Sequence, residues 1–152
     1  MLLLLPATIL SAQPSASLIR NGSFEDGSTI RTYQNLAGGS TALPGWVVTG
    51  EGIDLVGAGY WISADGSYAV DLDGSGRGRI TPPHPRGGIA QTFATAPGKR
   101  YQVTFDLAGN PYRGPPKKPV KITAAGQSAE FIFDITGKTG RTMGWVKQTW
   151  TF

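Results

Sequence analysis

Cysteine is absent from this 152-residue chain, and histidine occurs once, at His84. The first absence excludes disulfides, thiolate metal centres and a thiol nucleophile. The second leaves no basis for a zinc site built on histidines. Charged residues are scarce at 16%, and no segment sustains a helical period. The longest apolar run, Met1 to Leu10, is interrupted by Pro6 and is too short to span a bilayer as a helix. The formal charge of +4 is modest and gathers in two proline-rich loops, so it makes no case for nucleic acid as a partner.

What is present in quantity is glycine (22) and proline (11), a composition of many short strands joined by turns. The length suits one domain with a sizeable core. Residues 1–17 resemble the apolar and cleavage regions of a secretory signal, although the first basic residue is Arg20. Export is therefore expected, with an apolar N-terminal strand as the alternative. The folded domain is expected to run from Leu18 to Phe152.

It opens on Asn21-Gly22-Ser23-Phe24-Glu25: a tight turn, one aromatic to bury, and oxygens on Asn21 and Glu25. Pro44-Gly45-Trp46 adds a turn and an aromatic anchor. Residues 28–43 read as a loop or irregular edge. Strands are expected at 46–49, 53–56, 68–72, 89–93 and 101–107, then around 120–122, 131–133 and 145–152. Tyr101-Gln102-Val103-Thr104-Phe105-Asp106-Leu107 alternates most clearly. Two stretches break the rhythm. One runs from Gly74 to Gly88 and holds Arg77, Arg79 and Arg86; the other, 110–119, holds Arg113, Lys117 and Lys118 among four prolines. Proline cannot donate to a ladder, so both read as basic loops. The whole is expected to be an all-β, two-sheet sandwich.

The ordered set Asn-Gly-Ser-Phe-Glu, Pro-Gly-Trp, Ile53-Asp54-Leu55, Asp65-Gly66-Ser67-Tyr68-Ala69-Val70-Asp71-Leu72, Ile89-Ala90-Gln91-Thr92-Phe93, Leu107-Ala108-Gly109-Asn110 and Gly144-Trp145 resembles the DUF642 family, including its choice-of-anchor C members. The resemblance covers Leu18 to the end. It implies a galactose-binding-domain-like jelly roll, extracytoplasmic, that binds polysaccharide. It also implies that Glu25, with Asn21, helps hold a structural calcium ion. Family members continue past Phe152 with further strands and an acidic stretch. The chain is accordingly expected to be C-terminally incomplete, with any membrane anchor beyond it. Asn21–Glu25 would then be half of a clasp whose other half is a later strand.

Other constellations fare worse. Asp71-Leu72-Asp73-Gly74-Ser75-Gly76 imitates the front of an EF-hand loop but places Pro82 where a bidentate Glu is required. A catalytic triad would depend on His84 within the proline-rich loop. The chain is therefore expected not to be an enzyme. Sugar rings stack on aromatic faces, and Tyr60, Trp61 and Tyr112, in or beside loops, are the expected platform. Arg113 is their expected polar neighbour. Trp46, Trp145 and Trp150 are expected in the core. The partner is then a polysaccharide or glycoconjugate met by a monomer, with an adhesion domain acting through protein contacts as the alternative.

Overall fold

The computed structural model describes residues 16–27, 29–74 and 87–152. The bulk of the signal-like segment and of the first basic loop, with His84, Arg77, Arg79 and Arg86, lies outside these residues. Nine antiparallel strands and no helix occur among the described residues: β1 (Tyr33–Ala37), β2 (Val47–Thr49), β3 (Gly52–Gly57), β4 (Tyr68–Asp71), β5 (Gly88–Ala90), β6 (Gln102–Leu107), β7 (Lys117–Ala124), β8 (Gln127–Asp134) and β9 (Val146–Thr151). They pair as β1-β3-β4, β2-β5, β6-β9 and β7-β8, an all-β arrangement consistent with a sandwich.

Strand β3 is the centre of the molecule, and every one of its residues is buried. It is flanked by β1, which sets Leu36 opposite Ile53, and by β4, which sets Val70 opposite Leu55. Leu36, Leu43, Val48, Ile53 and Leu55 form the main core, with Phe24, Ile30, Trp46, Tyr68, Val70, Leu72 and Ile89 packed on it. A smaller cluster joins Val56, Trp61 and Met143, with Ala108 and Trp145 against it. Trp46 and Trp145 thus pack on the two clusters, though half-buried rather than enclosed.

Asn21–Glu25, expected to be half of a clasp, fastens onto groups of the described domain. Asn21 Nδ2 donates to the Pro44 carbonyl (2.9 Å), and its Oδ1 accepts from the Asp26 amide (3.0 Å). The Trp46 indole N–H donates to the Asn21 carbonyl at 2.9 Å. Glu25 Oε1 accepts from the amides of Ser67 (2.7 Å) and Tyr68 (3.0 Å), which begin β4. Just ahead of the turn, the Gln91 side-chain amide brackets Arg20, accepting from its N–H (2.8 Å) and donating to its carbonyl (2.9 Å). Gln91 thus serves as a one-residue strand partner.

Two stretches differ from expectation. Residues 33–37, read as part of a loop or irregular edge, form the regular edge strand β1, in which only Leu36 is buried, so it shows no alternation. The second basic loop is shorter than expected, because Lys117, Lys118 and Pro119 already belong to β7. Proline is tolerated there because β7 has a partner on one side only, so its nitrogen can face the open edge. The β7–β8 hairpin closes on Ala125-Gly126, both at positive φ (48° and 74°), as a two-residue turn between antiparallel strands favours.

Candidate functional site

An exposed aromatic surface is built from three chain segments. Tyr33 opens β1 and is 50% exposed; Tyr60, in the turn after β3, is 39% exposed; Tyr112, in the loop before β7, is 56% exposed. Tyr60 is the hub, with ring centroids 5.5 Å from Tyr33 and 5.8 Å from Tyr112. The rings are tilted by 54° and 58°, so the three form a faceted face rather than a flat one.

Backbone pairing explains why these residues meet. The register puts Tyr33 opposite Val56, and the Gly57 amide donates to the Thr32 carbonyl at 2.6 Å, drawing the start of β1 against the turn that carries Tyr60. Tyr112 is anchored from the far side of the chain. Its hydroxyl accepts from the Gly140 amide (3.2 Å), while the Gly140 carbonyl accepts from the Ile62 amide (2.9 Å). Only glycine fits at 140, since a Cβ there would run into the Tyr112 hydroxyl and lie 2.9 Å from the Tyr60 carbonyl. The Trp145 indole N–H completes the support by donating to the Ile62 carbonyl at 2.8 Å.

Of the four expected sugar contacts, the structure brings Tyr60 and Tyr112 together on the surface and places Arg113, also exposed, beside Tyr112. The Arg113 carbonyl accepts from Lys118 Nζ. Trp61 corrects the expectation. It is only 4% exposed and packs with Val56 and Met143 beneath Tyr60, ring centroids 5.8 Å apart. Neighbouring residues in this turn face opposite ways, and the larger indole takes the interior. Its N–H meets no acceptor among the described residues. Tyr33 was missed because only the β1–β3 pairing, invisible in a polar stretch, carries it to Tyr60.

Asn21 and Glu25, the expected calcium ligands, are occupied otherwise. Both ends of the Asn21 amide and Oε1 of Glu25 hold backbone groups. A calcium ion takes six to eight oxygens, and among the described residues no group of three or more carboxylates or histidines is placed to hold a metal.

A second polar cluster lies across β3 and β4, where Asp54 and Asp71 stand directly opposite each other. Asn35 Nδ2 donates to Asp54 Oδ1 (3.1 Å), and Asn110 Nδ2 donates to Asp71 Oδ2 (2.9 Å). Burial pushes the Asp71 carboxyl above its ordinary value. The Asp73 amide and Asn110 pull it back, and the charges of Asp54 and Asp73 push it further up. These contacts tie the loop carrying Tyr112 to the central sheet.

The chain is 36% identical over 107 residues to Halomucin of Haloquadratum walsbyi, a match covering 68% of this chain and 1% of that protein. No solved structure matches it. A family model described as "Protein of unknown function (DUF642)" matches residues 17–152, and the chain therefore belongs to the DUF642 family.

Proposed function

We propose that this chain is a non-catalytic, extracytoplasmic carbohydrate-binding module of galactose-binding-like, jelly-roll type, related to choice-of-anchor C proteins. Its contact face is Tyr33, Tyr60 and Tyr112. The observation that carries this reading is the contiguity of three exposed phenol rings, each within 5.8 Å of the next, which are the exposed aromatics among the described residues. A pyranose presents an apolar C–H face that packs on such rings, and its hydroxyls find polar groups at the rim. The hydroxyls of Tyr33 and Tyr60 make no hydrogen bond among the described residues, and Arg113 is exposed beside Tyr112.

Because neighbouring rings are inclined by more than 50°, a flat polysaccharide surface could touch one ring at a time. A single chain whose successive sugars turn could touch all three. The signal-like start supports an extracytoplasmic setting. The alternative, an adhesion domain working through protein contacts, draws on Ile132, which is 64% exposed on the face of a strand.

The test is affinity gel electrophoresis of the full chain against neutral and acidic polysaccharides at low and moderate salt. Retention is expected, and Tyr60→Ala is expected to weaken it about tenfold, the value of one well-placed aromatic contact. Tyr33→Ala should weaken it comparably, whereas a platform confined to Tyr60 and Tyr112 would leave that variant unchanged. Failure of every polysaccharide to retain the chain would sink the reading.

A further inference from the structure

The outer face of the β7–β8 hairpin carries an ordered pattern of charge and apolar residues. Its register sets Lys117 opposite Asp134, Pro119 opposite Ile132, Lys121 opposite Glu130 and Thr123 opposite Ser128. All eight residues are exposed, and along β7 they alternate strictly with half-buried residues of the inward face. Each rung with a charge has its cation on β7 and its anion on β8, and the rung between them is apolar on both strands. Among the described residues neither charged rung closes to an ion pair, whereas Lys147 and Asp106 pair elsewhere at 3.1 Å.

We infer that this face is a docking surface for a second copy of the chain, related by a two-fold axis that runs along the hairpin between the two facing surfaces. Such an axis lays β7 of one copy over β8 of the other while keeping each rung level. Lys117 then meets Asp134 of the second copy, Lys121 meets Glu130, and Pro119 meets Ile132, each contact occurring twice as an isologous interface requires. Every charge finds its opposite, and apolar meets apolar. A two-fold axis across the strands instead would set Lys117 over Lys121 and Glu130 over Asp134, so the charge pattern selects the first orientation. Pro119 and the lysines also guard the open edge of β7, directing association to the face rather than to strand addition.

The patch is small against the roughly 1,200 Å² that a stable interface buries, so the dimer is weak, with a dissociation constant on the order of 0.1–1 mM, and salt-sensitive. It departs from the monomer expected from sequence.

Sedimentation equilibrium of the full chain, run from low to high protein concentration at low salt and again at about 500 mM salt, reads the association directly. Self-association that fades with salt is expected. Lys121→Glu and Glu130→Lys should each weaken it about tenfold, since each homodimer then sets like charges together twice. Mixing the two variants should restore it to within about threefold of the unaltered chain, because the mixed dimer regains both attractions. Circular dichroism on each variant reads the fold, and the salt dependence of the unaltered chain gives an arm that needs no substitution. A chain that stays monomeric throughout overturns the inference. So does association indifferent to both substitutions, association that the mixture does not restore, or a gain with Lys121→Glu, which would mark the crosswise axis.

Discussion

Residues 18–74 and residues 101–152 both pair their strands antiparallel, yet they bury side chains to different depths. In the first region Leu43 and Ile53 are fully enclosed and Val48 is 1% exposed, and β3 is covered on both faces. In the second, β7 alternates between exposed and half-buried along its whole length, and its partner β8 encloses only Phe133. The inward faces of β6 and β8 do meet, Phe105 standing edge-on to Phe131 at 5.2 Å. That contact remains half open to solvent. The difference teaches that pairing and packing are separable. A ladder satisfies the backbone wherever two strands run side by side, but an enclosed core needs a strand with neighbours on both sides and layers above and below.

The comparison breaks most readily on a matched pair of truncations. Ile53→Ala empties a fully enclosed site and should cost about 3–5 kcal/mol, whereas Ile122→Ala, on the half-buried face of β7, should cost about 1–2 kcal/mol. Urea unfolding of the two variants measures both, and equal losses would show that the second region is as tightly packed as the first. Glu25→Ala comes next. It strips the amides of Ser67 and Tyr68 of their acceptor and is expected to cost about 1–3 kcal/mol in thermal unfolding. Glu25→Gln, which keeps an oxygen in place, should recover much of that loss.

The smallest effect concerns acid. Burial holds the Asp71 carboxyl above its ordinary 3.8, so the native state binds that proton more tightly than the unfolded chain does. Its contribution is present in full below 3.8 and is lost as pH rises through the raised native value. Asp71→Asn should therefore gain on the unaltered chain as pH rises from about 3.5 to 7, as read by unfolding at each pH. Asp134, on the exposed hairpin, shifts the other way. The Thr136 side chain and amide, which bond to its carboxylate, hold it below 3.8, so its contribution is lost as pH falls. One carboxylate registers enclosure and the other a surface turn.

Much of this was legible in the residues. Alternation located β6 because its polar and apolar residues switch at every step, and it located the centre of β7 at Val120-Lys121-Ile122 for the same reason. Strand β1 escaped because Tyr33-Gln34-Asn35-Leu36-Ala37 buries a single side chain and so carries no period. Pro119 disguised the start of β7, since proline argues against a strand unless that strand has a free edge. The aromatic face was half legible. Tyr60 and Tyr112 sit among turn residues, which signals exposure. The burial of Trp61 and the arrival of Tyr33 are consequences of tertiary pairing, which local pattern does not encode.

The strap formed by Arg20 to Glu25 has a kinetic consequence. Its partners lie far along the chain: Pro44 and Trp46 are 23 and 25 residues from Asn21, Ser67 is 42 from Glu25, and Gln91 is 71 from Arg20. These contacts need the loops before β2 and β4 and the end of β5 to be brought to the strap, so closing them early would carry a substantial loop entropy. The strap is thus expected to fasten late, with low φ-values. Loosening it should quicken unfolding while leaving the folding rate nearly untouched, which makes this short turn the setting of the domain's lifetime more than of its assembly.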